Sequence, residues 1–426
     1  MGNEFLVGTT PCERAMDRGT TTRASSRGSK MRMCMLASVA MATASLMPPL
    51  AHALNVTWVP NETRVSAQPD MIDYEFSQSR GMLAWSDETG HLWLANVDRS
   101  TGDFIPADGK GLMIDPDVMT FQDAQKTKNG PEWVSSAFGD AIVYTKYNGK
   151  HADANSRIGY ALQAPNGAWS AGFLGPNFVR KAPYGSATDG DLAPRITYVD
   201  SLENHYWREL LNADTEKPIA DFPASNYPIR HVRGARAVAY PRTVNGVAQV
   251  FYRDFDTNVV EQLTFDAGTK YEVWMWKAPE FNGEFVFMTL VDQVEARIYR
   301  KLPTGENGAM RWTPIYSKTA PAGNQMFSPE PFVWNGHSYF FMAMSVKPNK
   351  FRSEIWISNI DAASPVFKRI TDNTELRTRT DPEVFVTSNG PLIYYNRLIP
   401  DESGRKPKSC RNPQCSDGVY RADPGL

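Results

Sequence analysis

The sequence predicts an all-β chain folded as a β-propeller of seven four-stranded antiparallel blades, with six as the alternative count. Two observations predict it. A short phrase recurs: Pro-Glu or a near relative, an apolar residue or two, a Gly, then an alternating aromatic–aliphatic run. It reads Gly130-Pro131-Glu132-Trp133-Val134 before Gly139, then Ala278-Pro279-Glu280-Phe281 before Gly283. It returns as Ser328-Pro329-Glu330-Pro331-Phe332 before Gly336 and as Asp381-Pro382-Glu383-Val384-Phe385 before Gly390. Pro279, Pro329 and Pro382 follow one another at a step of about 50 residues, a period typical of radially repeated β architectures. The second observation is the filling: each step holds period-two segments rich in β-branched and aromatic residues, with almost no helical period.

The blades are expected in chain order. The first comprises Met71–Phe76, Gly81–Trp85 and His91–Ala95; the second follows Pro131 and includes Ile158–Leu162. A weaker third covers Ile196–Val199, His205–Trp207 and the stretch near Pro218. The fourth runs through Ile229–Val232, Ala237–Tyr240, Gln249–Tyr252 and Val259–Leu263. The fifth follows Pro279 and includes Ala296–Arg300, the sixth follows Pro329 and includes Glu354–Ser358 and Phe367–Thr371, and the seventh follows Pro382 and ends at Gly418–Arg421. Such sheets expose two apolar faces each, and stacking them around a circle covers both. Trp133, Trp207, Trp334 and Trp356 suit the layers between blades. A short strand at Asn55–Val59 is expected to close the circle by pairing with the last blade.

Composition bounds the rest. The chain has 426 residues, 42% hydrophobic and 12% aromatic, enough for a large interior. A formal net charge of −2 gives no electrostatic footprint for nucleic acid or an anionic membrane surface. Arg27, Lys30 and Arg32 precede an apolar run from Met33 to Leu50, and Ala51-His52-Ala53 follows. This predicts a secretory signal cleaved after Ala53 and an exported protein, periplasmic or extracellular, with an uncleaved anchor as the alternative. Residues 1–53 are therefore read as extension and leader, and residues 54–426 as one propeller domain without a membrane span, expected as a monomer. Cys410 and Cys415 remain beyond the leader and predict one local disulfide.

The chemistry is less decided. Asp73, Glu132, Glu280, Glu330 and Glu383 are read as occupying like positions at blade starts. If the opening strands line the channel, these acids converge, raise one another's pKa and serve as ligand-binding groups or as acid and base. The opposing expectation is that each accepts backbone N–H bonds in a turn between blades. No metal site is expected, because His91, His151, His205, His231 and His337 are scattered. Cofactors are expected to be none, with Ca²⁺ weakly supported by the Asp108–Asp117 and Asp189-Gly190-Asp191 stretches. Neither a Gly-x-Ser-x-Gly elbow nor a phosphate-binding loop is present.

Gln262-Leu263-Thr264-Phe265-Asp266 ahead of Ala278-Pro279-Glu280, and Arg369-Ile370-Thr371-Asp372 ahead of Asp381-Pro382-Glu383, resemble the repeat of TolB-like propellers. Ile298-Tyr299 and Ile355-Trp356 fill that repeat's later strand, and the resemblance covers most of residues 70–422. Ser86-Asp87-Glu88-Thr89-Gly90-His91-Leu92-Trp93 is similar to the sialidase turn motif, a structural turn. Trp276-Lys277-Ala278-Pro279-Glu280 and Thr380-Asp381-Pro382-Glu383 also resemble phrases of five-bladed arabinanase and xylosidase-type glycoside hydrolases. That second resemblance implies Glu280 as acid and Asp381 as base, although the two phrases stand in the reverse order here. The expected function is a binding or scaffold propeller for a glycan, a peptide or an envelope partner protein. The alternative is a glycan-cleaving enzyme using channel-mouth carboxylates.

Overall fold

In the computed structural model the described residues are 62–120, 129–175, 177–219, 229–304, 307–346, 352–401 and 414–426. The expected leader, the Asn55–Val59 strand and Cys410 lie outside them. Seven antiparallel sheets follow one another along the chain, six of four strands and one of five. Blade 1 opens with Ile72–Ser77, blade 2 with Glu132–Val134, blade 3 with Lys181–Gly185 and blade 4 with Arg230–His231. Blade 5 opens with Lys270–Ala278, blade 6 with Asn324–Trp334 and blade 7 with Thr378–Thr387. Each opening strand touches the next, and that of blade 7 touches that of blade 1, so the seven close a circle around a channel. The count of seven and the weak third blade both hold.

The sequence reading misplaced two opening strands. In blade 5 the strand precedes Pro279, and Pro279–Phe281 is a 3-10 turn leading into the second strand. In blade 3 the opening strand is Lys181–Gly185, whose period of two is broken by a register shift between Lys181 and Tyr184.

Apolar packing between blades supplies the cohesion. Seven clusters of buried side chains each straddle one seam. Ile142, Tyr144 and Ala161 meet Ala84, Leu92 and Leu94 between blades 2 and 1. Met288 and Ile298 meet Phe340 and Met342 between blades 5 and 6. Trp207 is buried at the seam of blades 3 and 4, and Trp133, Trp334 and Trp356 pack against the clusters of their own seams. Burying a large apolar side chain stabilises by about 1.5–3 kcal/mol, repeated many times around the circle.

The closing strand is Glu62–Ser66, which pairs antiparallel with Ser416–Ala422 as the outermost strand of blade 7. Closure by an early strand was expected; the strand that does it lies a few residues later than Asn55–Val59. Glu62 also accepts hydrogen bonds from Arg379 at 2.8 Å and 3.1 Å and from the Asp372 N–H at 3.0 Å. This fastens the early strand to the opening strand of the same blade. The turn at Asp87 is equally well satisfied. Burial pushes its carboxyl up, but bonds from Thr89, Trp93 and the His91 N–H outweigh that and hold it at about 2.

Candidate functional site

The opening strands share a local device. In five of them a non-glycine residue sits at positive φ: Asp73 at 57°, Ala182 at 50°, Glu272 at 44°, Ser328 at 43° and Asp381 at 55°. A register shift against the second strand brackets each of these positions. Such bulges re-aim the side chains that follow, and positive φ at non-glycine residues is a strained choice that the surrounding sheet must hold. In blade 2 the corresponding residue is Gly130, where an added Cβ would meet the Asp73 carboxylate and carbonyl at 2.5 Å and 2.6 Å. Close approach of blade 1 requires glycine there.

Two residues after the bulge, the side chain reaches the channel. Six of the resulting positions are Glu75, Glu132, Tyr184, Trp274, Glu330 and Glu383; Arg230 is the contribution of blade 4. All seven line one cavity of about 310 Å³. It opens toward the turns joining first and second strands, where Gln78, Ser79, Asp140, Ala187 and Asp189 form the rim. A second hollow of about 420 Å³ continues this mouth over blades 3 to 6, sharing Ala187, Asp189 and Arg233 and adding Trp276, Lys277 and Phe332.

The electrostatics follow from crowding. Burial pushes the Glu132 carboxyl up to about 8, with Arg230 pulling it down and Glu330 and Asp381 pushing it up. Burial likewise pushes Glu330 up to about 7 against the pull of Arg230 and Arg233. Glu75, Glu383 and, one step along the strand, Asp73 are pushed well above the carboxylate range by burial and by one another. Glu272 is raised by burial, with Arg230 opposing. These side chains face a channel wide enough for water, which softens the push relative to a dry core. Burial lowers His231, also on the cavity wall, to about 4, so it is neutral at pH 7.

The expected residues divide. Glu132, Glu330 and Glu383 line the cavity; Asp73 and Asp381 belong to the bulge positions two residues earlier, and electrostatic coupling ties them to the same group. Glu280 does not belong with them. It sits on the turn after the blade 5 strand, and its carboxylate accepts from the Ser338 N–H and, at 2.8 Å, from the Ser338 hydroxyl of blade 6. The expected Glu280–Asp381 acid–base pair is thus divided between a seam and the channel. Glu75, Tyr184, Arg230 and Trp274 were missed; Ala182-Pro183-Tyr184 carries the same Pro-then-channel-residue signal as Pro131-Glu132 and was readable.

One acid in each of the suggested Ca²⁺ stretches has other partners. Asp115 accepts from Tyr144 at 2.7 Å and from Lys146, and Asp191 accepts from Arg236 at 2.6 Å. Among the described residues no group of three or more His, Cys, Asp or Glu is arranged to hold a metal ion. No helix among them is long and apolar enough to cross a membrane.

The fold and cavity define a seven-bladed β-propeller with an acidic, aromatic-walled channel mouth. No protein-family model matches the chain, and no curated protein matches it. Among solved structures it is similar to TolB from Acinetobacter baumannii at 13% identity and TM-score 0.34, covering 80% of this chain and 78% of that one. It is also similar to Trypanosoma rangeli sialidase in complex with sialic acid, at 9% identity and TM-score 0.41, covering 80% of this chain and 58% of that one. A chain of the nidogen/laminin complex matches at 9% identity and TM-score 0.37, covering 68% and 94%. Likenesses this distant add nothing to the functional reading, which stands on the channel itself.

Proposed function

We propose that this chain is an exported binding propeller whose channel cavity receives a small ligand or a projecting group of a glycan, peptide or partner protein. One observation carries the reading. Four of the seven channel positions are carboxyls crowded around a cavity of about 310 Å³, with Arg233 standing 3.9 Å from Glu330. A protein gains no stability by gathering acids that raise one another's pKa, so the arrangement is a mark of a site. The expected leader and the close spacing of Cys410 and Cys415 support an extracytoplasmic setting.

The test is a glycan and peptide array probed with the purified protein, with Glu132→Gln and Glu330→Gln alongside. Retained binding in both variants would remove the channel from the reading.

A second reading rests on the same two residues. Glu132 at about 8 and Glu330 at about 7 bracket neutrality, as a general acid and base must. A glycan-cleaving enzyme would then use channel carboxyls rather than Glu280. Product release from array glycans, lost in Glu132→Gln, separates it from simple binding.

A further inference from the structure

Arg230 is the side chain that an acidic channel leaves unaccounted for. It enters from blade 4, with its guanidinium 5.1 Å from the Tyr184 ring centroid and 4.5 Å from that of Trp274. Aromatic faces from blades 3 and 5 therefore hold the planar group in place. Its Nε is buried without a hydrogen-bond partner. Burial opposes its charge, and Tyr184, Glu330, Glu272 and Glu132 outweigh that through space, yet among the described residues none of these acids closes to ion-pair contact. Beside it, Trp274 is only 9% exposed, and its indole Nε1 is also buried without a partner. Two neighbouring donors on one cavity wall thus lack acceptors. Buried donors are ordinarily paired, and two orphans on adjacent residues that line a cavity point to an acceptor supplied from outside.

We propose that the ligand of the channel cavity carries a carboxylate, gripped by Arg230 and by the Trp274 indole N–H. This rests on the channel being the ligand site. A planar two-oxygen acceptor matches the guanidinium fork, which a lone hydroxyl does not. The cavity, at about 310 Å³, fits a small molecule or a single acidic residue of a longer chain. Crowding by like charges does not bar a carboxylate here. Burial and mutual repulsion raise Glu75, Glu132 and Glu383 above the ordinary carboxylate range, Glu132 to about 8, which favours their neutral O–H form over negative charge.

The experiment is calorimetry, with indole fluorescence as second readout, on the purified full chain. The probes are matched pairs: D-glucuronate and D-glucose, gluconate and sorbitol, glutamate and glutamine, with inorganic phosphate as a separate arm. At least one carboxylate is expected to bind tenfold or more tightly than its neutral partner. Arg230→Gln should erase that preference, Arg230→Lys should keep part of it, and Trp274→Phe, which preserves the aromatic wall, should weaken carboxylate binding several-fold. Equal binding within every pair, an undiminished preference in Arg230→Gln, or binding of phosphate alone overturns the proposal. If an array ligand still binds and depends on Glu132 while the carboxylates fail, only the carboxylate inference falls and the channel reading stands.

Discussion

The seams and the channel use the same residue types to opposite ends. Away from the channel, acids meet donors: Glu62 with Arg379, Glu280 with Ser338, Asp191 with Arg236. In the channel, acids face acids, and Arg230 stacks on rings without closing on a carboxylate. The difference teaches that the repeat phrase has two fates. Where the backbone bulges two residues earlier, its Glu lines the channel among other carboxyls; where the phrase falls on a turn, its Glu fastens blade to blade.

The largest effect is expected at the closing seam. Arg379 is 1% exposed and Glu62 is 6% exposed, so Glu62→Ala leaves a buried guanidinium unmatched. A loss of about 3–5 kcal/mol is expected in urea unfolding; a loss below about 1 kcal/mol would mean the ring is not fastened there.

The channel should behave in reverse. Glu132 and Glu330 have raised pKa values in the folded state, so the native protein binds more protons than the unfolded chain between the ordinary glutamate value and about 8. Stability is therefore highest below about pH 5 for these groups, falls as pH rises toward 8, and levels off above it. Glu132→Gln and Glu330→Gln should flatten that slope and each raise stability at pH 8 by roughly 1–3 kcal/mol, after allowance for channel water. A wild type whose stability is level from pH 5 to 8 would contradict the crowding.

A smaller effect is expected at Glu280. Glu280→Ala removes the acceptor of the Ser338 N–H and hydroxyl and should cost about 1–2 kcal/mol. Binding of any channel ligand should be unchanged, and a parallel loss of binding would return Glu280 to the site. Smallest is the exposed Lys301–Glu261 pair, 42% and 43% exposed. Lys301→Ala should change stability by less than about 1 kcal/mol, and the change should vanish at high salt.

The architecture was legible because alternation and a regular step survive in the second and third strands, whose faces are buried on both sides. Tyr144, Val250, Phe287, Phe341 and Tyr394 all lie in runs of this kind and end in seams. The channel was only partly legible. Its frame depends on a backbone torsion, and residues such as Ala182 and Glu272 do not advertise positive φ as glycine does. Glu272-Val273-Trp274 contains no Pro-Glu, so Trp274 was read without a role. Ala278-Pro279-Glu280 matches the phrase in composition while falling after its strand, so composition groups Glu280 with the channel candidates, and its bond from the Ser338 N–H fits the opposing expectation of a turn carboxylate. Arg230 falls in the expected Ile229–Val232 strand of blade 4, but a lone Arg there does not match the Pro-Glu phrase that marks Glu132, Glu330 and Glu383.

The pairing of Glu62–Ser66 with Ser416–Ala422 also sets an order of assembly. During synthesis the early blades can stack as they emerge, but the last gap waits for residues near position 420. Until then the chain is an open crescent with two greasy ends, the species most apt to stick to a neighbour. A truncation that removes Ser416–Ala422 would hold it in that state, with no partner left for the closing strand.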